Sequence, residues 1–381
     1  MKFTIYAPAL RAAVSSAVRA ISPKTPNAVL TNLVVSVGSD PAGKGMLVIV
    51  GSDGDVFVRT VSGLENSDFE TGTAAIPGLP TAELLKTLPD IDVSLSFSET
   101  ACTVDWGTGH ASIPVMNMED YPEEPLISSV SGDSVASLSE SDFVSAMDHV
   151  AGNVATDEIR PIVNCVLLDI HPEESRAVAT DMRILSYYDI PSLQAEKAAS
   201  VLIPPRMANI ARACIVPSDG TLKVFSDGRR VMLTADGFSV SASMTPGRYP
   251  AYMSVVPNTN SNELKADRLT LISALKRVGT GADAVSRIVK MTLSTLKGLV
   301  LEASDANLRK TARESVKDTE YSGDDLVIGF KAESLLKLLG NMKSPSISIR
   351  FSDARRAALI VPAEEKENDE PYVSIAMPCA L

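Results

Sequence analysis

One pattern occurs three times along this chain, and it limits the possible folds more than any single residue does. Asp53 closes the run Val48-Ile49-Val50-Gly51-Ser52, Asp181 closes Ala177-Val178-Ala179-Thr180, and Asp305 closes Leu301-Glu302-Ala303-Ser304. These aspartates stand 128 and 124 residues apart in a chain of 381. Ile76-Pro77, Ile203-Pro204 and Ile328-Gly329 recur in the same phase, 127 and 125 residues apart, each ahead of a helical run. Two motifs in one phase define an internal repeat, and a repeat has to be settled before any fold is assigned. A third of the chain is a common domain size and can bury its own core. The period predicts three similar domains at 1–128, 129–256 and 257–381.

Each repeat opens with an amphipathic helix. Leu10, Val14, Ala17, Val18 and Ile21 follow the spacing of one apolar face, as do Phe143, Met147 and Val150, and then Leu269, Ile272, Leu275 and Val278. The run Ser139-Glu140-Ser141-Asp142 supplies capping residues ahead of the second of these. Strands are expected from Leu30 to Val37, Ile162 to Asp169 and Ile288 to Leu293. Second helices are expected from Pro80 to Leu88, Pro205 to Cys214 and Lys331 to Leu339. Val93-Ser94-Leu95-Ser96-Phe97, Leu222-Lys223-Val224-Phe225 and Ile347-Ser348-Ile349-Arg350-Phe351 alternate with period two, the mark of half-buried antiparallel strands. Asp236-Gly237 reads as a tight hairpin turn. Tyr121-Pro122 and Tyr249-Pro250 mark the linkers that end the first two repeats. The fold class is α+β, with two helices over antiparallel sheet in each of three tandem domains.

Such domains have a geometric consequence. Sheets that join edge to edge across domain boundaries leave one open edge at each end, and open edges pair promiscuously. A head-to-tail contact either closes into a ring or continues as a filament. Two chains of three domains closing into a ring would leave no free edge, which predicts a head-to-tail dimer.

Charge excludes some functions and permits others. The net charge of −12 opposes nucleic-acid binding in bulk, although its distribution matters more than its sum. The helices carry Arg11, Arg19, Lys86, Arg206, Arg212, Arg268, Lys276, Arg277, Lys331 and Lys337, against Glu83, Glu140, Asp142, Asp148, Asp267 and Glu333. They are mildly basic in an acidic chain, so a surface lined by them would attract a polyanion. The run Glu364 to Glu370 is the one strongly acidic stretch and reads as an exposed hairpin tip.

No catalytic or metal-binding constellation emerges. His110, His149 and His171 have no ligand spacing, and no phosphate-binding, dinucleotide-binding or nucleophile-elbow motif is present. Ser52-Asp53-Gly54-Asp55 could hold a metal, but Thr180-Asp181 and Ser304-Asp305 repeat it without the second aspartate. That favours a repeated turn. Trp106, ahead of Gly107, reads as a packing residue. Cys102, Cys165, Cys214 and Cys379 are widely spaced and read as buried cytosolic thiols. No apolar run reaches membrane-spanning length and no signal peptide is apparent, so a cytoplasmic protein with no cofactor is expected.

Val29-Leu30-Thr31-Asn32-Leu33, Arg160-Pro161-Ile162-Val163-Asn164, Val178-Ala179-Thr180-Asp181, Arg248-Tyr249-Pro250-Ala251-Tyr252 and Met377-Pro378 follow one another in a specific order and spacing. By these segments the whole length resembles the beta subunit of bacterial DNA polymerase III, the sliding-clamp family. The resemblance implies a ring-shaped homodimer of clamp-fold domains with duplex DNA threaded through it. The ring would tether the replicative polymerase without reading sequence. Lys24, in the loop Ser22 to Pro26, and Arg206 match family positions that contact DNA, and Arg11, Arg212 and Lys331 are further candidates on the helices. Pro161 and Ile162 replace aromatic residues beside Arg160.

The resemblance also implies a groove that binds short motifs of the polymerase, the clamp loader and repair proteins. Its residues here would be Val163, Thr180, Leu185, Pro250, Val255, Ile375, Met377 and Pro378. Its rim departs from the family at Met182, Arg183, Ile184, Ser254 and Ala380, which predicts an altered peptide preference. At the dimer seam, Ala111 and Ile113 would meet the helix around Val278. These side chains are small, so the seam is expected to be weak and to dissociate on dilution. The rival readings are a three-domain peptide-binding adaptor that never meets DNA, and a hydrolase built on the three aspartates.

Overall fold

The alternating segments become strands and the three-and-four-spaced segments become helices in a computed structural model that describes residues 1–22, 24–65, 68–124, 134–156, 159–363 and 372–381. The acidic stretch Glu364–Glu370 lies outside the described residues. The first repeat supplies β1 (Lys2–Tyr6), α1 (Ala7–Ala17), β2 (Asn32–Ser39), β3 (Gly45–Ser52), β4 (Phe57–Gly63), β5 (Gly72–Pro77), α2 (Gly78–Thr87), β6 (Asp92–Phe97), β7 (Ala101–Asp105) and β8 (His110–Pro114). The second supplies β9 (Ala136–Ser139), α3 (Glu140–Val150), β10 (Val166–Ile170), β11 (Arg176–Thr180), β12 (Ile184–Asp189), β13 (Ala199–Ile203), α4 (Pro205–Cys214), β14 (Thr221–Ser226), β15 (Arg230–Ala235) and β16 (Phe238–Ser243). The third supplies β17 (Asn262–Asp267), α5 (Arg268–Gly279), β18 (Ile288–Ser294), β19 (Gly298–Asp305), β20 (Lys310–Val316), β21 (Thr319–Ser322), β22 (Leu326–Lys331), α6 (Ala332–Asn341), β23 (Ser346–Phe351), β24 (Ala358–Pro362) and β25 (Tyr372–Ala376).

The repeat is visible in single hydrogen bonds. The first amide of each opening helix donates to the residue just before a returning strand: Ala7 to Ile91, Glu140 to Gly220 and Arg268 to Pro345, at 2.8–2.9 Å. Each donor is one of the helix-start amides that lack an intrahelical partner.

Compactness divides the chain differently from the repeat. One unit comprises Met1–Ser141 with Arg206–Met244, and the other Asp142–Pro205 with Thr245–Leu381. The cause is sheet continuity. In the first unit an eight-stranded sheet runs β5-β2-β3-β4-β16-β15-β14-β9, so first-repeat strands continue directly into second-repeat strands through β4 and β16. In the second unit a nine-stranded sheet runs β13-β10-β11-β12-β25-β24-β23-β17-β21, joined in the same way through β12 and β25. The expected edge-to-edge joining is therefore present at both internal boundaries. Two four-stranded sheets, β1-β6-β7-β8 and β20-β19-β18-β22, complete the units and end in β8 and β20.

Packing follows the apolar pattern in α1 and α3, but α5 buries Leu271, Ala274, Leu275 and Val278 and leaves Leu269 60 % exposed, so its core face is rotated from the expected line through Leu269 and Ile272. In the first unit Leu10, Ala13, Val14 and Ala17 of α1 are buried with Phe3 and Ile5 of β1, and with Leu33, Val35, Leu47 and Ile49 of the sheet. Gly51 is required by the contact of α1 with β3, since a Cβ there would lie 2.2 Å from the carbonyl oxygen of Ala17. Trp106 packs partly buried against this core, as its context suggested. Asp236-Gly237 forms the expected two-residue hairpin, with Ala235 opposite Phe238 and Gly237 at a φ of 65°.

Several element boundaries shift. Ala28–Thr31 and Pro161–Asn164 form 3-10 turns, so the strands begin at Asn32 and Val166 rather than at Leu30 and Ile162. In the first turn the Asn27 side chain caps the amide of Val29, and in the second Pro161 suits a turn start. The first helix ends at Ala17 and continues only as a 3-10 turn to Ala20. Lys331 closes β22 with extended backbone and caps α6 instead of belonging to it. Cys102 and Cys165 are buried, whereas Cys214 and Cys379 are only partly so. Burial pushes the Cys102 thiol up to about 12.

Candidate functional site

The three aspartates are turn formers. The Asp53 carboxylate accepts from the amides of Asp55 and Val56, Asp181 from those of Arg183 and Ile184, and Asp305 from that of Leu308. The preceding Ser52 and Thr180 hydroxyls accept from Gly54 and Met182. A carboxylate that accepts backbone amides of its own turn closes a tight strand connection, and each of the three does so on its own hairpin. The hydrolase reading has no geometry to stand on. Among the described residues, no group of three or more His, Cys, Asp or Glu could hold a metal ion.

Beyond the second turn, strand alternation builds an apolar surface on the outer face of the second unit. Thr180, Leu185, Ile375 and Met377 share one face, since Thr180 lies opposite Leu185 and Leu185 opposite Ile375. The other face of these strands looks toward the helices. There the fully buried His149 ring of α3 stands 5.1 Å from Tyr188 and 4.8 Å from Tyr372. The segment 245–255 crosses the outer face. It is tied there by Thr245 Oγ1 against Cys165 Sγ at 3.2 Å and by the Tyr252 hydroxyl donating to Asp169 at 2.8 Å.

The floor is buried and the rim is apolar and open. Val163, Thr180, Leu185 and Ile375 are buried, whereas Met182, Met253, Val255 and Met377 are each 45–50 % exposed. Half-exposed large apolar side chains around a buried apolar floor form the surface that a hydrophobic segment would cover. The Thr180 hydroxyl has no proton left to donate, because it donates to the Ile184 carbonyl at 2.6 Å while accepting from the Met182 amide. Pro250 and Pro378 are half-buried beside this floor.

Sequence reasoning missed the polar end of this face. Arg176 lies two and four residues before Val178 and Thr180 and therefore on the same side of β11. Its guanidinium pairs with Asp189 and Glu174, sits 4.9 Å over the Tyr187 ring, and reaches Met253 Sδ at 3.4 Å. Burial works against the Arg176 charge, but hydrogen bonding and attraction from Asp189 hold its pKa above the ordinary value. The i, i+2 alternation from Thr180 back to Arg176 was the available signal.

Met182 occupies a strained position. Its φ of 71° lies in the left-handed region, where the equivalent turn of the first repeat has Gly54 at 100°. An L-residue there costs about 1–2 kcal/mol, partly offset because glycine loses more freedom on folding. Met182→Gly should therefore raise stability by roughly 0.5–1 kcal/mol, read as a higher denaturation midpoint at unchanged slope. A lower midpoint would show that the Met182 side chain contributes more than its backbone costs.

The basic candidates are placed unequally. Arg206, near the start of α4, sets Nε 3.0 Å from Asp53 and donates to the Ala20 carbonyl at 2.6 Å, so its charge is partly neutralised. Arg11 donates to the carbonyls of Leu85 and Leu88 and pairs with Asp90 at 3.1 Å, tying α1 to the C-terminal end of α2. Arg268 repeats this tie in the third repeat by donating to Leu339 and Ser344. Lys24 and Arg212 are exposed, and Lys331 is partly buried at the end of β22. Lys337 on α6 has its pKa lowered by burial, against the attraction of Asp181 and Glu333. The seam candidates Ala111 and Ile113 lie on β8, and Val278 is buried on α5.

An α+β chain of three repeats that share sheets edge to edge has the architecture of the three-domain DNA clamps. Known proteins agree along the whole length. Residues 1–125, 137–251 and 253–378 match the N-terminal, central and C-terminal domain models of the DNA polymerase III beta subunit. The chain therefore belongs to the bacterial DNA polymerase III beta subunit family, the beta sliding clamps, whose members are processivity factors and not enzymes. It is 27% identical over 334 residues to the beta sliding clamp of Caulobacter vibrioides, covering 82% of this chain and 87% of that one. It is 25% identical to the clamp of Streptomyces coelicolor, with both chains covered completely. The fold is shared with a Pseudomonas aeruginosa clamp solved bound to griselimycin, at a TM-score of 0.89 and 22% identity over the full length of both chains. It is also shared with the Streptococcus pyogenes beta subunit, at a TM-score of 0.88 and 19% identity, again over both full lengths. No helix among the described residues is long and apolar enough to cross a membrane.

Proposed function

We propose that this sliding clamp works as a closed ring of two copies around duplex DNA and tethers the replicative polymerase in the cytoplasm. The observation that carries the reading is the continuity of sheet through both internal boundaries, with β8 and β20 among the terminal strands left for a second copy to occupy. The three repeats act as the domains 1–128, 129–256 and 257–381. A topological link needs only weak, exchangeable phosphate contacts, because strong ones would brake sliding. Lys24, Arg206, Arg212, Lys331 and Arg11 suit such contacts, and the Asp53 partner of Arg206 keeps its contact weak. Tethering holds the polymerase at high effective concentration beside the primer end, which is the source of processivity.

The outer groove of the second unit docks the polymerase, the clamp loader and other proteins by short apolar motifs. Its half-exposed Met and Val rim supports this use. A peptide adaptor that never meets DNA is not favoured, since nothing in it requires the clamp architecture.

Loading onto nicked circular DNA with a clamp loader tests the function. The ring should stay with closed circles through gel filtration and be lost once they are cut. Equal loss from circles and linear DNA would reject encirclement. Arg206→Ala should flatten the slope of log affinity against log salt by somewhat less than about 1, because Asp53 already neutralises part of the charge. An unchanged slope would remove Arg206 from the DNA path.

A further inference from the structure

The apolar surface of the second unit ends in a row of charge. Side chains on one face of neighbouring strands line up across a ladder, and three such rows cross the outer face. The row nearest the turn contains Thr180 and Leu185, with Ile375 beyond them on β25. The next contains Leu167, Val178 and Tyr187, with Val373 beyond. The third is Asp169, Arg176 and Asp189, since Asp169 lies opposite Arg176 and Arg176 opposite Asp189. At about 3.3 Å per residue, the step from Thr180 to Arg176 puts the first and third rows about 13 Å apart.

The charges at this end do not cancel. Two carboxylates share the Arg176 guanidinium, Asp189 in its own row and Glu174 from the preceding loop, so one negative charge is left over. Asp169 is held separately, by the Tyr252 hydroxyl at 2.8 Å and by His171 Nε2 at 3.2 Å. Exposure is divided in the same sense. The Arg176 side chain is 15 % exposed and touches Met253, whereas Asp189 is 33 % and Glu174 61 % exposed. A segment lying on the apolar rows therefore reaches the carboxylates and not the guanidinium. Burial raises the Asp189 pKa; the hydrogen bond and charge of Arg176 oppose the rise, and Glu174 adds to it. At the other end of the surface the turn after Thr180 carries the exposed Arg183.

We propose that segments docking on this surface carry a lysine or arginine about four residues from their apolar anchor, and that Glu174 and Asp189 select it. The proposal rests on the docking reading above and adds the charge of the partner. A cation there completes the pairing that one guanidinium cannot, whereas a carboxylate would meet two others. So exposed a pair keeps much of its water, costs little desolvation and weakens with salt. The apolar rows supply affinity, and the charged row supplies the choice between partners.

Fluorescence anisotropy with labelled peptides tests the choice. Each peptide carries leucine and phenylalanine anchors and, about four residues away, two lysines, two glutamates or two serines, at one end or the other in separate peptides. An exposed ion pair changes affinity by up to about five-fold, and exchanging attraction for repulsion acts twice. At the end that reaches the charged row, lysines should bind roughly 5- to 20-fold more tightly than glutamates, with the difference shrinking as salt is added. At the end beside Arg183 that preference should vanish or reverse. Glu174→Gln should reduce the difference to about two-fold or less and leave the serine peptide unaffected. Glu99→Gln, which removes an exposed negative charge from the first unit, should change neither. Equal affinity for lysine and glutamate peptides, a preference equal at both ends, or one that Glu174→Gln leaves undiminished would overturn the inference and leave the dock standing. No binding of any peptide would overturn the dock itself, and the inference with it.

Discussion

Replacing both Met377 and Val255 with aspartate should abolish peptide docking while leaving the fold unchanged. Both side chains are about half exposed at the rim of the outer groove, above the buried Leu185 and Ile375. A rim carboxylate facing a bound apolar side chain must be desolvated without a partner, and anchors of this kind are worth about 2 kcal/mol or more each. One such loss is about a 30-fold drop in affinity, and two together should exceed 100-fold. Substitutions at half-exposed positions away from the core usually change stability by about 0.5 kcal/mol or less, so the melting curve should barely move. Fluorescence anisotropy with a labelled hexapeptide carrying leucine and phenylalanine anchors reads the loss directly. Affinity within a few-fold of the parent would show that this face is not the dock.

The second large effect concerns stability and separates the two units. Phe3 is fully buried and stacks on Phe97 at a centroid distance of 6.3 Å. Phe3→Ala removes that contact and leaves a cavity, at a cost of about 3–5 kcal/mol. For a unit of this size that is a fall in melting temperature on the order of 10 °C. Trp106 is the only tryptophan and packs on the same core, so its fluorescence reports the first unit alone. The fluorescence transition should move down while a second calorimetric transition stays in place. A single transition that shifts as a whole would show that the two units melt together.

Much of this molecule was legible before any coordinates. The spacing of Asp53, Asp181 and Asp305 announced the repeat, and their identity as turn residues followed from the absence of a second aspartate in two copies. The resemblance singled out Thr180, Leu185, Ile375 and Met377, and alternation on paired strands accounts for their shared face. Other features were hidden. Arg11 reads as a free cation on an amphipathic helix, yet its Nε and Nη2 donate to carbonyls 74 and 77 residues away. Asp53 gave no sign that it would pair with Arg206, which is over 150 positions on. The 3-10 turns at Ala28–Thr31 and Pro161–Asn164 replaced strand starts because capping and proline geometry outweighed the apolar run.

Sequence alone determined the three-domain plan, the class of most elements and the apolar face of α1 and α3. These depend on local periodicity, which is written along the chain. Only the tertiary structure decided where the compact units divide, which cations are already paired, and in what register one repeat meets the next. Those depend on which donors and acceptors the ladders bring together, and a ladder joins residues whose distance in sequence carries no information about their distance in space.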